Sequence, residues 1–292
     1  MMPERAGPLL SVVIPTRNRP FELQRCLRSL NDQALPRSRW EVIVVVDGED
    51  EHSADTLRAW DERLPLRWLR QAHAGCGLAR NTGAEQAKGR FLVFTDDDCL
   101  FPPDWLSLYA QHIELYPNCI VAGRSINFLA ANPYSQATQD LMDYLLASLN
   151  SYPEEAVLAI GNNFGVPADR FRRLGGFGSR YFRAAAEDRD FCVRWRQSGE
   201  RIVYAPDIVV QHAHALTFAS YIRQHLHYGR GAWLFHTASS SWKTQASPGH
   251  LEFYLSMFRA HTGLRSLALL FTSQAAQTIG YVSGWLTSSA NH

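Results

Sequence analysis

The sequence predicts an α/β fold in which a largely parallel sheet is covered by helices on both faces. Four short runs of β-branched or large apolar residues predict buried strands, at residues 10–14, 42–46, 66–69 and 91–94. Segments with helical periodicity separate these runs. The chain has 292 residues and 46% hydrophobic content, enough to bury a large core.

Each helix between the strands has a start or stop signal. Pro20 opens the first helix, and its buried face is marked by four residues at helical spacing, Leu23, Cys26, Leu27 and Leu30. Ser53 is the expected cap of the second helix, and Gly89 ends a third over residues 75–88. Residues 10–96 therefore alternate strand and helix, which predicts a doubly wound sheet.

The order of elements becomes mixed beyond Pro102 and Pro103. We expect a helix from Asp104, a strand at residues 120–122 and a long helix near residues 136–148. A mixed sheet follows from this order. No linker divides the chain before residue 235.

Composition argues against several classes of protein. Lys and Arg total 29 against 28 acidic residues, so the charge balance offers no general attraction for nucleic acid. The five cysteines are an odd number and form no CxxC pair, which is typical of reduced intracellular thiols. The first residues show no signal-peptide pattern, and we expect a cytoplasmic protein.

Residues 266–290 carry no charge, but Ser, Thr, Gln and Gly interrupt their apolar content. Two interpretations remain open. The segment is either a helix packed on the domain or a partner, or an interfacial helix lying on the inner face of the membrane.

Polar residues follow three of the strands, where ligands bind in sheets of this kind. They are Pro15-Thr16-Arg17-Asn18, Asp47-Gly48 and Asp96-Asp97-Asp98. Three adjacent carboxylates repel one another unless a cation compensates them, and oxygen ligands beside a diphosphate suit Mg²⁺ or Mn²⁺. The alternative for this triplet is a solvated acidic turn.

Several motifs in order resemble the family 2 glycosyltransferases of the GT-A fold, from about Leu10 to about Phe235. They are residues 11–19 (SVVIPTRNR), residues 44–48 (VVVDG), residues 77–83 (GLARNTG) and residues 94–99 (FTDDDC). The resemblance implies that the last motif is the family's Asp-x-Asp pair. Asp98 would then bind the metal, and Asp96 would lie near the ribose and diphosphate.

The same resemblance implies a nucleotide-sugar site with the following residues: Pro15, Thr16, Arg17, Asn18, Asp47, Arg80, Asp96 and Asp97. Asp47 can accept a base N–H, and Arg80 near a helix N-terminus suits an anion. Taken alone, Arg80 could equally be a surface arginine.

Further motifs in the second half resemble the family's acceptor side. Gly161, Asn162 and Asn163 match a loop bordering donor sugar and acceptor, and the alternative is an ordinary Asn-Gly turn. Asp188, with Glu187 in support, matches the catalytic base, although acidic residues also cap helices.

The resemblance also implies that a histidine completes the metal site with Asp98. His212 matches that place better, and His214, on the same face of the strand at i+2, is the second choice. The alternative is that these histidines are structural. Residues 224–231 (QHLHYGRG) depart from the Gln-x-x-Arg-Trp of processive members, which favours a single sugar addition. Arg230 would close over the diphosphate or simply be exposed.

The resemblance thus implies a fold with a Rossmann-like nucleotide-binding half, a mixed central sheet and a C-terminal helical extension. Residues 1–235 would form the GT-A domain, with a nucleotide-sugar half at 10–100 and an acceptor half at 101–235, followed by the helical extension at 236–292. The reaction would be an inverting transfer in bacterial glycan biosynthesis, from a UDP-sugar or, alternatively, a GDP- or dTDP-sugar. The acceptor hydroxyl would belong to a glycan, a lipid-linked sugar or a small molecule.

Three rival interpretations fit the sequence less well. A catalytically silent nucleotide-sugar-binding module would not need the acidic and histidine residues together. A sugar nucleotidyltransferase usually opens with a glycine-rich phosphate loop, which residues 15–18 lack. A dehydrogenase is disfavoured because Arg80 replaces the third glycine of G-x-G-x-x-G.

Overall fold

The computed structural model describes residues 7–182, 184–238 and 263–289. These residues form one mixed sheet of eight strands in the order β3-β2-β1-β4-β7-β6-β8-β5. The strands are β1 (Leu10–Thr16), β2 (Trp40–Asp47), β3 (Leu66–Gln71), β4 (Phe91–Thr95), β5 (Cys99–Leu100), β6 (Ile120–Asn127), β7 (Asn163–Pro167) and β8 (Ile202–His212). The helices are α1 (Pro20–Asn31), α2 (Glu51–Trp60), α3 (Cys76–Gln86), α4 (Trp105–Leu115), α5 (Pro133–Leu149), α6 (Ala168–Arg173), α7 (Glu187–Gln197), α8 (Phe218–Ala238) and α9 (Leu264–Ser289).

The first four strands are parallel, with β1 between β2 and β4, as the alternation of strands and helices predicts. Successive residues of β1 face opposite sides of the sheet. Val12 belongs to the core layer under α1, α2 and α4, and Val13 to the layer under α3, α6 and α7. The prediction of a sheet with helices on both faces is confirmed.

The remaining strands make the sheet mixed. β7 lies antiparallel between β4 and β6, whereas β6 and β8 are parallel. The short strand β5 then pairs antiparallel with β8, with Cys99 opposite His212. This pairing brings the end of the acidic triplet to the end of β8.

One helix cap differs from the sequence expectation. Asp50 caps α2, and its Oδ1 accepts the backbone N–H of Ser53 at 3.0 Å. Ser53 is inside the helix and buried. Both residues are good caps, but Asp50 also accepts the Asn18 N–H at 2.6 Å, which fixes the turn before the helix.

α8 runs through residues 235 and 236, the position of the predicted domain boundary, to Ala238, and that division stays a prediction. α9 packs along α8 at glycines: a Cβ added at Gly229 would meet the Gln277 backbone oxygen at 1.9 Å, and one at Gly280 the Leu226 oxygen at 2.1 Å. Among the described residues, no helix is both long enough and apolar enough to cross a membrane.

Candidate active site

A cavity of about 850 Å³ opens at the carboxyl ends of β1, β2 and β4 and extends between α5, α7 and α8. Most of the site residues expected from the sequence line it: Pro15, Thr16, Arg17, Asp47, Arg80, Asp96, Asp97, Asp98, Gly161, Asn162, Glu187, Asp188, His212 and His214. Asn18, Asn163 and Arg230 do not belong to this lining.

Asp98, His212 and His214 converge, with one potential ligand atom from each within 4.8 Å of the others. His212 Nε2 lies 3.1 Å from Asp98 Oδ1, and His214 Nδ1 lies 3.0 Å from Asp98 Oδ2. The pairing of β5 with β8 brings them together, and the Ala213 N–H donates to the Asp98 carbonyl at 2.8 Å.

The electrostatics of this cluster are strongly coupled. Burial alone would raise the pKa of Asp98, but His212, His214 and Arg19 hold it well below its usual range. Burial works against a charge on His212 too, yet Asp98 raises the pKa of that imidazole. A buried carboxylate is therefore kept ionised between cationic or polar neighbours.

The donor set fits a divalent metal ion. Asp98 Oδ1 is buried, and no hydrogen-bond donor among the described residues is aligned with it. One carboxylate and two imidazoles suit Mn²⁺ or another first-row transition ion better than Mg²⁺, which prefers oxygen ligands.

Arg19 is a site residue that the sequence reasoning missed. Its Nη1 lies 2.8 Å from Asp98 Oδ2 and 3.2 Å from Asp97 Oδ1. Asp97 also accepts the Thr16 hydroxyl at 2.7 Å, and burial raises its pKa to about 7. Arg19 could have been found from its place at the end of the β1 loop, because three adjacent carboxylates need nearby positive charge.

Arg80 is buried at 3% exposure, which excludes the surface alternative. Its guanidinium pairs with Asp96 and, at 3.0 Å, with Glu187 Oε1. It therefore connects the acidic triplet to the first turn of α7. A Cβ added at Gly161 would stand 3.1 Å from Arg80 Nη1, so the loop passes closely over this arginine.

The loop after β3 folds around Asp47, which is buried. Asp47 accepts hydrogen bonds from Gln71 Nε2, from His73 Nδ1 and from the backbone N–H groups of Ala74 and Gly75, all at 2.8 to 2.9 Å. Burial raises the pKa of Asp47, but these donors together lower it.

His73, which was not expected from the sequence, lines the cavity beside Arg17, whose Nη1 lies 2.9 Å from His73 Nε2. Asn18 does not line the cavity, so any role in the site is indirect. Its φ is +54°, and its backbone N–H donates to Asp50.

Asp188 and Glu187 begin α7 but have different surroundings. Glu187 is buried and pairs with Arg80, and Cys76 Sγ lies 3.3 Å from its Oε1. Asp188 is half-buried, and its Oδ2 accepts the Gly161 N–H at 3.0 Å. Asp188 thus contacts the 160–163 loop, in addition to any role in capping the start of α7.

Asn163 is a correction to the sequence expectation. It is fully buried, and its Oδ1 accepts from Trp105 Nε1 at 3.1 Å and Tyr109 Oη at 2.8 Å. Its Nδ2 donates to the Arg124 and Ile208 carbonyls. Asn163 therefore ties β7 to β6 and β8 in the core and cannot reach a sugar, whereas Asn162 lines the cavity and accepts the Ser125 hydroxyl at 2.7 Å.

Arg230 is a second correction. It is exposed on α8, its Nε donates to Ser283 Oγ of α9 at 3.0 Å, and it does not line the cavity. The same helix turns Arg223, Gln224 and His227 toward the cavity instead. Position 230 is seven residues beyond Arg223 and so lies on nearly the same side of the helix, but the Arg230 guanidinium bonds to α9 instead of lining the cavity.

The family model described as "Glycosyl transferase family 2" matches residues 11–175. The chain belongs to this family. The chain is 28% identical over 227 residues to "Validoxylamine A glucosyltransferase" of Streptomyces hygroscopicus subsp. jinggangensis, across 66% of this chain and 52% of the relative. It therefore spans about half the length of that relative. It is 27% identical over 234 residues to "Glycosyltransferase AglE" of Haloferax volcanii, across 77% of this chain and 73% of the relative.

Solved structures of glycosyltransferases share the GT-A fold of this chain. Mannosyltransferase PcManGT from Pyrobaculum calidifontis, in complex with GDP-Man and Mn²⁺, superposes with a TM-score of 0.67 at 20% identity, and the superposition covers 98% of this chain and 80% of that one. TarS from S. aureus in complex with UDP gives a TM-score of 0.58 at 17% identity, covering 97% and 92% of the two chains.

Proposed function

We propose that this chain moves one sugar from a nucleoside-diphosphate sugar, with a UDP-sugar as the first choice, to an acceptor hydroxyl with inversion at the anomeric carbon. The observation that carries the proposal is the convergence of Asp98, His212 and His214 in the same cavity as Asp188. One end of that cavity can hold a diphosphate, and the other offers a carboxylate to a nucleophile.

Asp98 and His212, with His214, would hold a divalent cation. When bound, such a cation neutralises charge on the departing nucleoside diphosphate. Arg19 adds a fixed positive charge beside the same carboxylate, 2.8 Å from Asp98 Oδ2. Together these groups would favour a leaving group that gains negative charge.

The nucleoside would bind at the loops after β1 and β3. Thr16, Arg17 and His73 line this end, and Asp47 fixes the shape of residues 73–75 with four accepted hydrogen bonds. A direct bond from Asp47 to a base N–H would replace one of them. Arg80 would act through Asp96, which it holds in place near the ribose and diphosphate.

Asp188 would be the general base, with its Oδ2 oriented by the Gly161 N–H. Glu187 would support it by holding Arg80. The base would accept the acceptor's hydroxyl proton while the oxygen attacks the anomeric carbon from the side opposite the leaving diphosphate. A displacement of this geometry inverts the configuration.

The nucleobase of the donor is uracil or guanine in the first two choices. The neighbouring solved structures hold GDP-Man in one case and UDP in another. We place UDP first and GDP second, with Mn²⁺ ahead of Mg²⁺ because of the two imidazoles.

The decisive test is calorimetric titration of UDP and of GDP into the chain with Mn²⁺, with Mg²⁺ and with EDTA. At least one nucleotide should bind tightly only with a metal ion, and Asp98→Ala should remove that dependence. Asp55→Ala, in the exposed Arg58 pair of α2, is the matched control for loss of a carboxylate. Equally tight binding in EDTA would refute the metal assignment.

We also propose that the outer face of α9 lies on a lipid surface at the inner face of the membrane. The exposed side chains Phe271, Ile279, Val282 and Leu286 follow one another at spacings of 8, 3 and 4 residues and so share a face. No charged residue occurs from Ser266 onward in this helix. An uncharged apolar face of this size marks an interaction surface.

A further inference from the structure

One wall of the cavity is apolar, in contrast to the charged residues at its other end. α5 contributes Leu141, Met142, Leu145 and Leu149, and the segment leading to β7 contributes Leu158 and Ile160. All of these side chains except Leu158 are only half-buried, although they line a cavity inside the protein. Apolar side chains left partly exposed inside a cavity are a characteristic of ligand sites.

The apolar wall is preformed because α5 is fixed at both ends. At its start, Asn132 caps the helix and donates through Nδ2 to the Leu216 carbonyl at 2.8 Å, and Ser135 Oγ donates to the His214 carbonyl at 2.6 Å. At its end, Asn150 exchanges hydrogen bonds with the backbone of Leu158 at 2.8 and 3.1 Å. The wall cannot close by a simple shift of the helix.

This wall lies on the acceptor side of the site. α5 packs on β6, which is separated from the nucleotide strands β1 and β2 by β4 and β7. The wall ends at Ile160, and the next residue, Gly161, donates its N–H to Asp188. A group bound along α5 is therefore adjacent to the proposed base.

Two polar atoms border the wall without a hydrogen-bond partner among the described residues. They are Thr138 Oγ1 on α5 and Gln224 Oε1 on α8, both buried. A buried carbonyl oxygen without a donor destabilises the protein. A ligand with hydroxyl groups beside an apolar group would satisfy both features.

We infer that the acceptor is an amphiphile: a hydroxyl-bearing polar group held at Asp188, with an apolar chain or ring system bound along α5. The inference rests on the proposed function, and it narrows the acceptor from any hydroxyl compound to one with an apolar part. A nucleoside-diphosphate sugar has no such part, so the wall is not needed by the donor.

Methyl, hexyl and octyl β-D-glucopyranosides, each below its micellar concentration, are suitable probes. Calorimetry in the presence of UDP and Mn²⁺ should show affinity rising about threefold for each methylene that becomes buried. Hexyl glucoside should then bind at least about tenfold more tightly than methyl glucoside. Equal affinities along the series would overturn the inference.

Substitutions in the apolar wall test whether the alkyl chain binds there. Met142→Gln and Leu145→Gln should each lower the affinity for octyl glucoside about tenfold, since each removes apolar contact from the wall. Leu115→Gln, on an exposed side chain of α4, is the control, and Ile279→Gln tests the outer face of α9. Losses confined to Ile279→Gln would assign the alkyl binding to α9 and refute the α5 site.

The same samples separate this inference from the proposed function. UDP titration with Mn²⁺ reports the nucleotide site independently of the alkyl series. Metal-dependent UDP binding without chain-length dependence would refute the amphiphilic acceptor alone. Chain-length dependence without any nucleotide binding would refute the proposed function and, with it, the assignment of the apolar wall to an acceptor.

Discussion

Asp188 and Glu187 are adjacent in sequence, yet their surroundings give them different chemistry. Burial and the nearby Asp188 raise the pKa of Glu187, while Arg80 opposes them with a bond of 3.0 Å. Glu187 is therefore held in a buried ion pair with Arg80. Asp188 is half-buried, lines the cavity and has one oxygen oriented by the Gly161 N–H, so it is the carboxylate that an acceptor can meet.

The variant Asp188→Asn should lower the transfer rate by a factor of about 10² to 10⁴ while UDP affinity changes little. Asparagine keeps the size of the side chain but cannot take the hydroxyl proton. Transfer rate and UDP binding should be measured on the same preparation, with the donor identified by the nucleotide titrations. Turnover close to that of the unmodified chain would refute the base assignment.

Glu187→Gln is the matched comparison, because it changes the neighbouring carboxylate in the same way. Its effect on rate should be smaller, since Arg80 keeps its second partner, Asp96. Loss of UDP binding in Asp188→Asn, with binding retained in Glu187→Gln, would instead place Asp188 in the donor site.

Single residues also show where sequence reasoning reaches its limit. Motif position correctly brought Asp98 and His212 to one site, because strand ends meet at one sheet edge. It misplaced Asn163, because successive residues of a strand point to opposite faces. Asn162 lines the cavity, and Asn163 therefore points into the core. It also missed Arg19, although the charge of three adjacent carboxylates was a reason to look for a cation in the loop after β1.

At the scale of elements, the pair α8 and α9 depends on close backbone contact. Gly229 and Gly280 face backbone oxygens that a Cβ would approach to 1.9 and 2.1 Å, so neither site can accept a side chain unless the helices separate. Gly284 is more tolerant, because its nearest neighbour is the Trp233 side chain at 3.2 Å.

Gly229→Ala should therefore destabilise the chain by about 1 to 3 kcal/mol, the range of overpacked substitutions. Alanine's better helix propensity, worth about 1 kcal/mol, offsets only part of the steric cost. Urea unfolding at equilibrium would measure the difference. Gly284→Ala is the matched control and should change stability much less, because a side chain can yield where a backbone cannot. Equal effects of the two variants would show that backbone contact does not limit this interface.

Regular elements were predictable where local pattern alone decides them. The four parallel strands and α1 follow from apolar runs and from Pro20, and each appears within a few residues of its expected bounds. β5 is only two residues long and exists because β8 pairs with it, so no local pattern reveals it. The choice of Asp50 over Ser53 as a cap likewise depends on a contact with Asn18, distant in sequence.

At the scale of the whole molecule, the sheet separates two kinds of chemistry. Its parallel half ends in the loops proposed to bind the nucleotide, and its mixed half carries β6 with α5 above it. The proposed metal ligands and Asp188 lie between the two halves and line one cavity. The apolar wall and the outer face of α9 then offer two separate apolar surfaces, one internal and one external.

The external surface should bring the whole protein to lipid vesicles. Ile279 and Leu286 are 61% and 56% exposed on α9, while Leu270 and Ser273 on its inner face are fully buried. Removing α9 would therefore uncover the core, and substitutions on the outer face are the cleaner test. Burying one large apolar side chain contributes about 1.5 to 3 kcal/mol, so replacing both Ile279 and Leu286 with Gln should lower vesicle binding by at least about tenfold.

Flotation with neutral and with anionic vesicles would measure this loss of binding, with Leu115→Gln as the control and UDP binding as the check that the variants are folded. If the unmodified chain does not float, or if the double variant floats equally well, α9 does not bind lipid; if the same substitutions instead abolish a dimer seen by sedimentation, its outer face binds a second copy of the chain.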